Sequence, residues 1–206
     1  MDVIETVRQA IVDFCRTFVE HPYLCYTEHG QHALFYTRLY NALPPERRYT
    51  TWQGRRICVI QKEYPTAGDL SKSRRQHWDI AVLKTPPESL TTACAYDYLK
   101  LAAVVEFGLN GRKKHLVEDL RRLCHADANL RQGFLVHLYR LSPPGALFSQ
   151  RDWTSGSRRI LVPQEVAELA AGTPVEVYYA LADSTGHYTP GVWWIREGSM
   201  TAISGG

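Results

Sequence analysis

The chain has 206 residues, of which 45% are hydrophobic and 22% charged: enough apolar mass for one sizeable core and too little charge for a disordered polyelectrolyte. A formal net charge of +3 does not establish a nucleic-acid partner, yet it does not oppose an anionic one. Five cysteines (Cys15, Cys25, Cys58, Cys94 and Cys124) are odd in number and lie mostly in apolar segments, which argues for reduced thiols and a cytoplasmic location. The first residues lack the basic-then-apolar pattern of a signal peptide, and no apolar run approaches the ~20 residues of a spanning helix, so no membrane association is expected.

Residues 3–19 place Val3, Val7, Ile11, Phe14 and Phe18 at helical spacing and end before His21-Pro22. A second helix is expected over 27–43, stopped by Pro44-Pro45, with Phe35, Leu39 and Ala42 on its inward stripe. Stepping back along that stripe reaches His32 and then Glu28, so Glu28 should sit at the helix start facing the rest of the fold. By itself an acid there also suits the helix macrodipole. Residues 57–64 read as a strand, 65–77 as a polar loop rich in Gly, Ser and basic residues, and 78–83 (Trp-Asp-Ile-Ala-Val-Leu) as a second strand. Pro86-Pro87 opens an irregular connection to a third, 102–109 (Ala-Ala-Val-Val-Glu-Phe-Gly-Leu). Asn110-Gly111 then makes a turn. The following helix, 112–124, shows Leu116, Val117, Leu120, Leu123 and Cys124 on one face. A fourth strand over 133–141 ends at Ser142-Pro143-Pro144-Gly145. Beyond it lie a short helix, 163–171, with Pro163 at its start and Gly172 after its end, and two strands, 175–182 and 192–196. The expected division is a core over residues 1–150 and a small α+β appendage, a helix plus hairpin over 151–206, packed on the same domain.

A carboxylate inside an apolar strand is costly unless it is paired or holds a metal, so Asp79 and Glu106 need an explanation. A salt bridge to a neighbouring Arg or Lys explains either one alone. Two such acids on successive core strands favour a shared divalent cation. Hard oxygen ligands suit Mg²⁺ or Mn²⁺, and a metal held by carboxylates can generate a nucleophile near neutral pH and relieve charge on a phosphodiester. A rival metal signal is Cys25-x-x-x-His29-x-x-His32, which could bind zinc if Cys25 folded back on the helix turn, although no fourth ligand is evident. Lys72, Arg74 and Arg75, in the loop ahead of Asp79, are the expected contacts to a nucleic-acid backbone. Arg47, Arg48, Arg55 and Arg56 form a second basic region, and Arg112, Lys113 and Lys114 a third. No nucleophile elbow, Walker loop or dinucleotide fingerprint is present.

Taken in order, a helix bearing Glu28, a strand, a loop, an apolar strand bearing Asp79, a strand carrying Val105-Glu106-Phe107-Gly108, an amphipathic helix and a further strand resemble the core of the PD-(D/E)XK, or restriction-endonuclease-like, nuclease superfamily. The resemblance covers about residues 27–141. It implies an α/β fold with a restriction-endonuclease-like mixed β-sheet flanked by helices, and Mg²⁺-dependent (or Mn²⁺-dependent) hydrolysis of DNA or RNA. Asp79, Glu106 and Glu28 would then be the metal-binding and catalytic acids. The lysine that the family places two residues after the strand Glu falls here on Gly108, which shares a strand face with Glu106 and supplies no amine. Three readings follow. Lys113, one helical step before Leu116 and Val117, brings the amine from the helix; metal and carboxylates act alone; or the chain is a catalytically degenerate copy of the fold that binds protein or nucleic acid. A homodimer or a protein partner is compatible with each.

Overall fold

In the computed structural model, which describes residues 2–68, 70, 76–90, 98–142 and 160–203, helices and strands follow the apolar spacing of the sequence. The chain runs through α1 (Val3–Glu20), α2 (Glu28–Ala42), a hairpin of β1 (Tyr49–Trp52) and β2 (Arg55–Cys58), then β3 (Ile60–Pro65) and β4 (His77–Leu83). The short pair β5 (Ser89–Leu90) and β6 (Tyr98–Leu99) precedes β7 (Leu101–Leu109), α3 (Lys113–Leu123) and β8 (Leu130–Leu141). The chain continues with α4 (Pro163–Ala170), β9 (Glu176–Asp183), β10 (Gly191–Arg196) and β11 (Ser199–Ala202).

Seven strands form one mixed sheet in the order β11-β10-β9-β8-β7-β4-β3. β7, β8 and β9 run parallel and the outer pairings are antiparallel. The parallel strands are buried on both faces, which is why β7 reads as a nearly continuous apolar run. On one face Val7, Ile11, Phe14 and Phe18 of α1 and Phe35 and Leu39 of α2 pack on Val105, Phe107, Val136 and Leu138. On the other, Leu116, Leu120 and Leu123 of α3 and Val166 and Ala167 of α4 pack on Val104, Leu135 and Val177. Each of these Val, Leu, Ile and Phe side chains, fully buried, contributes roughly 1.5–3 kcal/mol relative to exposure. No helix among the described residues is long and apolar enough to cross a membrane.

Three expectations change. The segment beyond residue 150 is not an appendage: β9 pairs in parallel with β8 along its whole length, so β9–β11 extend the same sheet. The strand expected over 57–64 is two strands, because Val59 leaves the ladder to bond the carbonyl of Arg48. The first of these closes a hairpin through Gln53 and Gly54, both at positive φ (48° and 74°), the twist a two-residue hairpin turn requires. Finally, α3 is rotated from its expected setting. Val117 is 41% exposed and Cys124 is exposed, while Asp119 takes a core position.

Candidate active site

The sheet forks between β4 and β7. Their antiparallel ladder ends at Ile80↔Val105, although β4 runs back to His77 and β7 on to Leu109. Beyond that pair β4 stays with β3 to Pro65↔His77, and β7 stays with β8 to Leu109↔Leu138. The register would set Asp79 opposite Glu106 just where pairing stops. Two β7 amides that a neighbouring strand would otherwise satisfy are instead taken by carboxylates. Phe107 N donates to Asp79 Oδ2 at 2.8 Å, and Leu109 N donates to Glu28 Oε2 at 2.8 Å. Amides two residues apart on a strand lie about 7 Å apart. The fork therefore draws Asp79 and Glu28 to one strand edge, beside Glu106.

Glu28 arrives there because α2 is fixed at its start. Thr27 caps the helix by accepting a hydrogen bond from Gly30 N, 3.1 Å away, making Glu28 its first residue. The loop before it is clamped by Arg140, which is 6% exposed and donates to the carbonyls of Pro22, Cys25 and Tyr26.

On the α3 side of the fork, Glu106 is 2% exposed, and its Oε2 accepts from Arg122 at 3.2 Å. Arg122 also meets Asp119 at 3.5 Å, donates to the His77 carbonyl and lies over the Trp78 ring. Burial, with the nearby Asp79 charge, holds the Glu106 carboxyl well above the usual carboxylate range. Burial raises Asp79 too, against the lowering effect of its bond from Phe107 N. Asp119 is pushed up to about 6 by burial, against the pull of His115 and Arg122. His115 Nε2 stands 3.5 Å from Asp119 Oδ2.

Gly108 has a steric cause. It pairs with His137 of β8, and a Cβ at position 108 would stand 2.9 Å from His137 Nδ1. The imidazole fills the space that a side chain at 108 would enter. His137 is fully buried, neither ring nitrogen has a hydrogen-bond partner among the described residues, and burial lowers its pKa to about 3, so the ring is neutral.

On the α2 side, His32 is 1% exposed with both ring nitrogens unpartnered among the described residues, and burial lowers it to about 4. Its Nε2 is 3.8 Å from Asp79 Oδ2. His29, His32 and Glu63 each bring a potential ligand atom within 4.8 Å of the others. The β3–β4 register sets Glu63 across from Asp79, but no pair forms there and Glu63 adopts φ 53°. Thus Glu63, Asp79 and Glu106 form a row of acids across three strands.

Of the residues expected to act, Asp79 and Glu28 hold β7 amides two residues apart and Glu106 lies beside those positions on the strand, but the three do not bring ligand atoms within 4.8 Å of one another. Lys113 does not join them: it is exposed at the start of α3 and makes no hydrogen bond or ion pair among the described residues, because the helix turns His115, Asp119 and Arg122 inward instead. Lys72, Arg74 and Arg75 lie outside the described residues. The loop carrying them leaves the sheet at the fork end, where Thr66 N and Gln76 O close its base. Arg112, Lys113 and Lys114 are exposed at that same end. The Arg47–Arg56 region is not, since it belongs to the end of the sheet where β3 begins. There a cleft of about 750 Å³ is lined by Arg47, Lys84, Leu101 and Arg131, far from the acids along β7. Cys25 does not complete a zinc set with the two histidines; Glu63 of β3 stands near them instead.

Each acid at the fork has one oxygen engaged by a protein donor and the other without a hydrogen bond among the described residues. Carboxylate oxygens of this kind are what a hard divalent cation takes, but here the three are not within 4.8 Å of one another, so a cation would have to draw the side chains together. Arg122, already charged beside Glu106, competes with one. Comparisons with protein-family models, with curated proteins and with solved structures give no match.

Proposed function

We propose that this chain is a metal-dependent phosphodiesterase acting on DNA or RNA, built on a restriction-endonuclease-like sheet. The observation that carries the reading is the fork, where Glu28, Asp79 and Glu106 reach one strand edge from three elements, each with an oxygen uncommitted. The order α2, β3, β4, β7, α3, β8, with β3-β4-β7-β8 adjacent in the sheet, supports it. Mg²⁺ or Mn²⁺, held by these acids, would supply a nucleophile near neutral pH and neutralise charge on the phosphoryl oxygens. Asp79 and Glu28 are held at their β7 amides, so the strand edge orients them without help from substrate. Arg112, Lys113 and Lys114, exposed beside the fork, attract phosphates without reading bases. No amine approaches from position 108 or 113, so the acids and the cation carry the chemistry.

A second reading has its own observation. Arg122 on Glu106 and the His137 ring over Gly108 together fill the place where the family pattern has a lysine, as in a copy of the fold that binds nucleic acid or protein without cutting. One experiment separates the two. Purified protein is incubated with labelled single- and double-stranded DNA and RNA in Mg²⁺, Mn²⁺ or EDTA, beside Asp79→Asn. The phosphodiesterase reading expects cleavage that EDTA stops and Asp79→Asn reduces by ~10² or more, the scale of losing a group that acts in the transition state. Binding without cleavage favours the binding module. Neither cleavage nor binding would refute both.

A further inference from the structure

We propose that His29, His32 and Glu63 form a binding site for a divalent transition-metal ion of borderline softness, with zinc the ion this donor set fits. The proposal does not rest on the phosphodiesterase reading. His29 and His32 stand three residues apart in the first turns of α2, so both rings leave one face of the helix, with centroids 5.6 Å apart. Glu63 reaches them from β3, where its left-handed backbone breaks the strand's alternation and re-aims the side chain. The candidate ligand atoms lie within 4.8 Å of one another. Ligands 2.0–2.2 Å from a tetrahedral zinc stand roughly 3.3–3.6 Å apart. Rotation of the two exposed side chains, His29 and Glu63, closes that difference around the fixed His32.

His32 supplies the independent observation. It is 1% exposed, and neither ring nitrogen has a hydrogen-bond partner among the described residues; the Asp79 carboxylate oxygen is 3.8 Å away, too far for a hydrogen bond. Packing against Phe107, with centroids 5.0 Å apart, accounts for the ring's face but not for its nitrogens. Buried polar atoms are nearly always satisfied, so a buried imidazole aimed at a second imidazole and a carboxylate calls for a ligand. Two nitrogens and one oxygen suit a borderline cation, whereas Mg²⁺ takes a shell of oxygens. Three protein ligands leave a fourth position open, with Asp79 beside it. Lys62 Nζ, 3.4 Å from Glu63 Oε1, competes for that carboxylate, but the pair is part-exposed and weak enough to yield. The Cys25 thiol is not needed.

The test is calorimetric titration of chelator-stripped, full-length protein with ZnCl₂, together with X-ray absorption of the zinc-loaded protein. One zinc per chain is expected, with two imidazole nitrogens and oxygen in its shell. His29→Ala and Glu63→Ala, both at exposed positions, should each weaken binding beyond the ~10–100-fold cost of losing a supporting residue, with circular dichroism unchanged. Cys25→Ala and Glu106→Gln should bind zinc like wild type. His32→Ala opens a hole in the core, so the outcome is decided by the two variants at exposed positions. Absence of zinc binding, sulfur in the absorption spectrum, or undiminished binding by both His29→Ala and Glu63→Ala overturns the proposal. So does loss of zinc binding in Glu106→Gln with His29→Ala unaffected, which would put the ion on the fork acids and leave the phosphodiesterase reading standing.

Discussion

The two sides of the fork differ in how they answer their buried acids. On the α3 side, Glu106 and Asp119 both meet Arg122 and Asp119 also lies beside His115, so the buried acids are answered, while the His137 nitrogens have no hydrogen-bond partner among the described residues. On the α2 side, neither His32 nitrogen has a hydrogen-bond partner among the described residues, and Glu63 is met by a part-exposed lysine. A closed network of this kind holds a strand in place, and breaking it strands a charge. An open set of neutral nitrogens and a carboxylate does little for the fold and is free to bind. Asp79 lies between the two, bonded to the edge of β7 and close to His32.

The comparison breaks most easily at Arg122. Arg122→Ala leaves Glu106 buried without its counter-charge, and stability in chelator should fall by about 3–5 kcal/mol. Urea denaturation measures it. Adding Glu106→Gln should restore much of the loss, because the stranded charge is removed with its partner. A loss under about 1 kcal/mol in the single variant would show that the network is not what holds this side. Next in size is Gly108→Ala, whose Cβ would stand 2.9 Å from the His137 ring. Overpacking of a filled core costs about 1–3 kcal/mol, and the double variant with His137→Ala should lose that penalty. Equal costs in both backgrounds would mean that the imidazole is not the obstacle. The same contact makes Gly108→Lys a poor way to restore an amine.

Much of the architecture was legible because burial follows spacing. The core stripe of α1, that of α2 as far as Leu39, and β7 as an apolar run needed only period and composition; Ala42, expected on the α2 stripe, is exposed. Asp79 and Glu106 stood out since an acid in such a run must be answered. The same rule applied to His137, an imidazole within Phe-Leu-Val-His-Leu-Tyr, would have flagged it. Glu63 left no such trace: it sits in Ile-Gln-Lys-Glu-Tyr, which reads as a half-exposed strand, and its direction comes from a left-handed φ that sequence does not display. The rotation of α3 was hidden for another reason. Val117 and Asp119 compete for the sheet, and Asp119 goes inward only because Arg122 and His115, three and four residues away on one or other side, are there to meet it. The β1–β2 hairpin was missed because Gln53-Gly54 lacks the Asn or Asp that usually marks such a turn.

The smallest effect is a pH dependence in which a buried acid and a buried histidine carry opposite signs. Asp119 is raised to about 6 in the folded chain, whereas an unfolded aspartate binds its proton only below about 4. Between those values the folded state holds more protons, so this group's contribution is present at low pH and lost as pH rises through about 6. Buried histidines run the other way. His137 is lowered to about 3, while an unfolded imidazole is protonated below about 6.5, so its contribution is lost as pH falls below that value. Asp119→Asn isolates the carboxylate. The variant should be more stable than wild type by about 1–2 kcal/mol at pH 7.5, with the difference shrinking through pH 6 and gone by about pH 4. Urea midpoints at half-unit pH steps trace it. A difference that stays constant with pH would mean that Asp119 titrates normally and that Arg122 and His115 fully compensate its burial, making the α3 side more completely closed than its geometry implies.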